Sequence, residues 1–169
     1  EPVTQSTLKV VGAFLALSRD RANARRYPAI DPLDSWSKYK SLVPEDMVNK
    51  ARRMLRSGND VDQMMKVVGE EGTPISDFIV YLKSELIDAV YLQQNTFDPI
   101  DSGCGADRQL QVFEKLLQVL DKQFDFSDKD EARTFFHQLR QHFIDWNYSP
   151  WQSDEFNSLE KNIDAFLSK

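Results

Sequence analysis

The residue types able to do chemistry are few, and their spacing argues against a self-contained active site. His137 and His142 are five apart, about 500° of helix rotation, so they do not share a face as an i,i+4 metal pair would. Both are expected at surface or boundary positions, with no metal role. Asp125-Phe126-Ser127-Asp128-Lys129-Asp130 begins like a calcium loop, but its sixth position is Asp130 rather than Gly, and its twelfth is Phe136 rather than Glu. Glu70 and Glu71, between Gly69 and Gly72, read as solvated neighbours in a turn. Cys104 lies in a Gly-rich loop without an assigned histidine partner, so a nucleophile is not expected there. Asn147-Tyr148-Ser149 is a glycosylation sequon in form only. Walker A, dinucleotide and nucleophile-elbow sequences are all missing. By residue type alone Tyr27, restricted by Pro28, reads as a turn residue, and Phe97 as a loop anchor.

The 169 residues, 19.6 kDa, suit one domain, or one domain with a fragment of another. Hydrophobic residues make up 41% and charged residues 28%, a globular rather than disordered composition. The longest apolar run, Val10 to Leu17, has eight residues, against the ~20 that a membrane-spanning helix needs. The opening residues lack the basic and apolar regions of a signal peptide, and the single cysteine excludes an internal disulfide framework. A cytosolic chain is expected. The net charge of −6 is uneven: residues 1–58 carry 11 Lys/Arg against 6 Asp/Glu, and residues 59–169 carry 10 against 21. So acidic a chain is a poor general nucleic-acid binder.

The elements that must position these residues are mainly helical. Thr7 to Leu17 is apolar and β-branched enough for a buried strand, although its length and periodicity also admit a short helix. Ser18 is placed to cap a charged helix through Arg26, which must stop before Pro28. Tyr27 to Asp34 reads as a stiff, turned loop, with Asp34 capping a short turn through Tyr39. Six amphipathic helices are then expected. Pro44 opens the first, along Met47, Val48, Ala51, Met54 and Leu55. After a break at Gly58-Asn59 the second carries Val61, Met64, Met65 and Val68 and ends at Gly69. Thr73 caps the third, which runs along Ile75, Ile79, Leu82, Leu86 and Val90. The fourth follows Leu110, Phe113, Leu117, Leu120 and Phe124. Ser127 and Ser153 open the last two. The fold class is therefore mainly all-α, a helical bundle preceded by about 40 residues that do not share its pattern. A lone strand cannot complete a sheet, so a chain cut from a longer protein is expected.

Three segments, in order, carry a resemblance. Tyr27-Pro28-Ala29-Ile30-Asp31-Pro32-Leu33-Asp34-Ser35 resembles the loop that closes over the nucleotide in the catalytic subunits of rotary ATPases. Tyr91-Leu92-Gln93-Gln94-Asn95-Thr96-Phe97-Asp98-Pro99-Ile100-Asp101 resembles a segment of the vacuolar/archaeal-type catalytic A subunits, after the long helix of their C-terminal domain. Glu1-Pro2-Val3-Thr4-Gln5-Ser6-Thr7-Leu8 is similar to the stretch leading into the last strands of their nucleotide-binding domain. The matches cover residues 1–101; residues 106–169 match mainly as a helical tail.

The resemblance implies a C-terminal part of such a subunit. Residues 1–41 would be the tail of the nucleotide-binding αβ domain, and residues 42–169 the C-terminal α-helical bundle. Tyr27, with Pro28, and Phe97 would flank the adenine ring of ATP or ADP. Glu70 and Glu71 would form the acidic turn that pushes on the central stalk, and Cys104 matches a cysteine that vacuolar relatives use for redox control. The partners implied are the non-catalytic B subunit and the central stalk, in the catalytic head at the cytoplasmic side of the membrane. Nucleotide would come with Mg in the intact subunit, none held tightly by this chain alone. The phosphate loop and the water-activating Glu are missing from these residues, so the chain alone should be inactive. The alternative is a stand-alone helical interaction module without nucleotide binding. A carboxylate metal oxidase would need Glu-x-x-His pairs, which are missing.

Overall fold

The computed structural model describes residues 2–40 and 42–168, so Glu1 of the opening match and residue 41 at the expected boundary lie outside it. Two features of the bundle follow from one glycine. Helix α3 runs unbroken over Glu45–Val68, through Gly58 and Asn59. The expected break there is absent, because Gly58 is buried and a Cβ on it would overlap the Cβ and Oγ of Ser84. Ser84 belongs to α4, Ile75–Ile87, which packs antiparallel to α3. The glycine thus admits a close helix–helix approach rather than ending a helix. The bundle has five helices instead of six: α3, α4, α5 (Ala106–Asp121), α6 (Lys129–Tyr148) and α7 (Asp154–Leu167).

The apolar stripes meet in one core, in which Phe78, Leu116, Leu139, Phe143, Trp146 and Ile163 are fully buried. Phe124 and Phe126 stack just beyond α5, against Phe135 and Phe136 of α6. Lys83 is buried among these groups and donates to the carbonyls of Leu120 at 2.9 Å and Lys122 at 2.7 Å, closing the C-terminal end of α5. Burial lowers its pKa, with the attraction of Asp121 opposing.

The caps differ in detail from expectation. Ser153 accepts from the Phe156 N–H as expected, at 3.0 Å. At α6 the cap is Asp128, whose Oδ1 accepts from Glu131 N at 2.8 Å, while Ser127 N–H and O–H donate to the Glu131 carboxylate at 2.8 and 2.5 Å. This reciprocal arrangement satisfies more donors than a single serine could. Thr73 does not cap α4; its hydroxyl donates back to Gly69 O at 3.0 Å, tightening the turn.

Before the bundle the chain departs further. Thr7 to Leu17 is not one strand. Pro2–Val10 forms helix α1 with no buried residue, Ala13–Phe14 (β1) pairs antiparallel with Trp36–Ser37 (β2), and Leu17 makes an isolated antiparallel bridge to Ile30. A helix satisfies its own backbone groups, whereas a long strand here would have had only this short partner. Ser18 caps α2 as expected, accepting from Arg21 N, but α2 covers only Arg19–Asn23. Arg25 then takes a positive φ of 57°, which turns the chain. Asp31, not Asp34, organises the next turn, its Oδ1 accepting from Leu33 N and Asp34 N at 2.8 and 3.1 Å.

Gly58→Ala should destabilise the chain despite alanine's helix propensity, by about 1–3 kcal/mol of overpacking. Ser84→Gly should recover part of that loss, so a double-mutant cycle by urea unfolding should show a clear coupling between the two sites. A second outcome concerns Tyr91, half-buried against Phe113 with ring centroids 4.8 Å apart. Burial first, then the charge at Cys104, pushes its phenol from the ordinary 10.0 up to about 12. A neutral phenol favoured by the fold contributes stability that is complete below pH 10.0 and lost as pH rises through about 12. Thermal unfolding followed across that window should therefore show a smaller alkaline loss in Tyr91→Phe.

Candidate functional site

The segment after α2 is held from several sides. Ser18 N donates to Ala29 O, and Asp31 N to Ala16 O, each at 2.8 Å. Arg52 of α3 donates to the carbonyls of Ser35 and Leu33 at 3.0 and 2.6 Å. Within this frame the Tyr27-Pro28 bond is cis, and the Tyr27 side chain stays 56% exposed. Phe97 is 96% exposed, yet its loop is ordered by local hydrogen bonds. Phe97 N donates to Asn95 Oδ1 at 3.1 Å, and Asn95 N to Asp101 Oδ2 at 2.6 Å. Asp98 Oδ1 accepts from Ile100 N and Asp101 N at 2.9 and 2.8 Å. Tyr148 of α6 anchors the loop through Asn95 Nδ2 at 3.1 Å.

The two segments meet. Gln94 N donates to Tyr27 O at 3.1 Å, so the backbone carrying Tyr27 touches the backbone three residues before Phe97. Among the described residues the two rings make no stacking contact with each other. What the arrangement offers is a pair of exposed aromatic faces on adjacent, fixed loops, able to stack on a flat ring.

A buried ionic cluster sits at the same junction. Beyond α4 the helix widens into a π-turn over Asp88–Leu92. Asp88, whose side chain is 5% exposed, accepts from Arg21 Nη1 and from Arg26 Nη1, both at 2.5 Å. Arg26 also reaches Glu85 of α4, Nη2 to Oε2 at 2.7 Å. Burial works against the Arg26 charge, but the hydrogen bonds and attraction of Glu85 and Asp88 outweigh it and raise its pKa. Nε and Nη2 of Arg21 are buried and have no hydrogen-bond partner among the described residues. Asn147 of α6 donates to Val90 O at 2.7 Å, satisfying a carbonyl in the widened turn. The pairs join residues 59 to 67 positions apart, and nothing local in the sequence marks them. The one available signal was a pair of arginines five apart, Arg21 within α2 and Arg26 just beyond it, in a stretch read only as a charged helix.

Glu70 and Glu71 lie at the other end of α4, about 20 Å of helix away. Both are exposed, but they differ. The Glu70 carboxylate pairs with Arg133 of α6, whereas Glu71 contributes its carbonyl, as Glu70 also does, to Lys129 Nζ. Gly69 turns the chain with φ +80°, and Val67 beside it is 85% exposed. The remaining sequence candidates have local explanations. His142 packs on Phe166 with centroids 5.0 Å apart, and His137 is exposed. Cys104 is half-buried, and burial raises its pKa, with Arg108 opposing and Asp101 adding. That is the reverse of an activated thiol. Among the described residues no three His, Cys, Asp or Glu side chains converge as a metal site requires, and no helix is long and apolar enough to cross a membrane.

Comparison with known proteins supplies the wider context. Residues 45–133, more than half of the chain, match the family described as the C-terminal domain of V and A type ATP synthase. The V-type ATP synthase alpha chain of Treponema denticola is 57% identical over 169 residues, covering 100% of this chain and 29% of that protein. That of Borrelia turicatae is 53% identical over 163 residues, covering 96% of this chain and 28% of that protein. The chain thus spans less than a third of the length of these relatives. A solved structure, a unique ATP synthase subunit NeqB from Nanoarcheaum equitans, shares the fold with a TM-score of 0.58 at 17% identity, over 72% of this chain and 31% of that one. The mainly helical fold agrees with these matches, and the chain belongs to the V and A type ATP synthase C-terminal domain family.

Proposed function

We propose that this chain is the C-terminal part of the catalytic subunit of a V-type rotary ATP synthase or ATPase, and that it supplies the base-binding side of the nucleotide site. Tyr27, oriented by Pro28, and Phe97 stack on the two faces of adenine. The observation that carries the reading is the pair of exposed rings on loops joined by the Gln94–Tyr27 hydrogen bond. Exposure of 96% leaves Phe97 with almost no packing role of its own, while the hydrogen bonds around it hold its backbone in place. Such a ring is available to a ligand without first leaving a core.

On this reading residues 1–41 end the nucleotide-binding domain and residues 42–169 form the helical domain. The phosphates and Mg are held, and water is activated, by the remainder of the subunit with the B subunit beside it. The assembly is a peripheral head on an ion-translocating membrane sector. The acidic turn at Glu70 and Glu71 meets the central stalk, and Glu71 is the freer of the two, since Glu70 is engaged by Arg133.

In the full-length subunit, Phe97→Ala and Tyr27→Ala should each weaken ATP binding by roughly five- to a hundredfold, the loss of one stacking contact worth about 1–3 kcal/mol. Folding should be little changed, because both rings are exposed. Unaltered ATP affinity in both variants, measured by titration calorimetry, would reject the base-stacking role. For the turn, Glu71→Gln should lower the ATPase rate of the assembled complex that is coupled to rotation more than Glu70→Gln does. Equal, unchanged rates in both would remove the stalk assignment.

A further inference from the structure

Asp88 is the place where the chain before the bundle is bound to the bundle. Its two carboxylate oxygens each take a separate arginine, Oδ1 from Arg21 and Oδ2 from Arg26, at 2.5 Å. Arg21 lies within α2 and Arg26 immediately precedes Tyr27. Asp88 itself opens the π-turn, whose last residue is Leu92, five positions before Phe97. One buried side chain therefore stands at the root of both aromatic loops. Burying a carboxylate with two guanidinium groups brings little net stability, since desolvation offsets the attraction. What such a cluster does supply is a fixed geometry, because each planar guanidinium accepts only a narrow range of partner positions.

We propose that Asp88 is a positioning residue for the adenine site: by holding Arg21 and Arg26 it sets the separation and tilt of Tyr27 relative to Phe97. This rests on the base-stacking reading above and deepens it. The π-turn contributes to the same end. A widened turn rotates the residues after it relative to a regular helix, and Gln94 is thereby presented to Tyr27 O. Asn147 holds the widened turn from α6 by donating to Val90 O. Glu85 restrains Arg26 from the side, so that the arginine cannot follow Asp88 alone. The Asp88 carboxylate is taken up by Arg21 and Arg26, so it acts on the site through the placement of the two rings.

The test uses the full-length subunit in its assembled complex, with ATP and inorganic tripolyphosphate as separate probes. Asp88→Asn keeps the size of the side chain and removes its charge. It should weaken ATP binding about tenfold while leaving tripolyphosphate affinity within twofold, because only the base side is displaced. Asp88→Glu should recover part of the ATP affinity, and Arg26→Gln should reproduce the selective loss. Arg26, with its side chain 32% exposed, carries the test should Asp88→Asn fail to assemble. Parallel loss of both probes would show general damage and overturn the proposal. So would unchanged ATP affinity in Arg26→Gln and Asp88→Asn while Phe97→Ala still weakens ATP, an outcome that leaves base stacking standing. Unchanged ATP affinity in Phe97→Ala and Tyr27→Ala would instead remove the base-stacking premise and the positioning role with it.

Discussion

Two guanidinium groups converging on the buried carboxylate of Asp88 join a stretch of chain with little core of its own to a bundle whose helices share one. α1 and α2 contain no buried residue, and the β1–β2 ribbon is two residues long on each side. Such elements bury too little apolar surface to be held by the hydrophobic effect alone. Their position is instead set by directional contacts: Arg21 and Arg26 to Asp88, Arg52 to two loop carbonyls, and Gln94 to Tyr27. Directional contacts fix orientation more sharply than they add stability, and that is the property a loop carrying an aromatic face requires.

The bundle end of this junction is stiff for a different reason. α4 packs on both α3 and α6, and the Gly58–Ser84 approach brings α3 and α4 unusually close. The same helix ends at Asp88 on one side and follows the Gly69 to Pro74 turn on the other. About four turns of packed helix, rather than a linker, therefore join the two ends. Glu70 ties the turn to α6 as well, through Arg133.

The legible part of this structure was the part with a period. Apolar residues recurring at three and four positions marked the bundle, because each helix buries one face in a common core. Gly58-Asn59 misled for a physical reason: a glycine read locally signals a break, whereas here the missing Cβ is filled by Ser84 on another helix. Thr7 to Leu17 misled because an apolar run has no fixed period when nothing covers it, and in this structure Val10 and Leu17 are each 82% exposed. The caps slipped by one residue at α6 because Ser127 and Asp128 compete for the same role, and the Glu131 carboxylate decides the outcome. Tyr27 and Phe97 were singled out by resemblance, not by residue type. Asp88 was invisible to either route, since its partners are fixed by the fold and not by spacing.

The exposure of Phe97 also bears on how such a site can work at all. Ordering a free loop costs on the order of 1–2 kcal/mol per residue, so a stack worth about 1–3 kcal/mol could not order even a few residues on its own. On the base-stacking proposal the loop must therefore be ordered before a nucleotide arrives. Asn95, Asp98 and Asp101 do this with side-chain acceptors turned onto nearby backbone N–H groups, a device that needs no core and leaves the ring untouched. Tyr148 fixes the whole loop to α6 from outside. Packing Phe97 into the bundle would have ordered the loop equally well, but it would have hidden the face. Polar local order, with the apolar surface left bare, is the arrangement that keeps both.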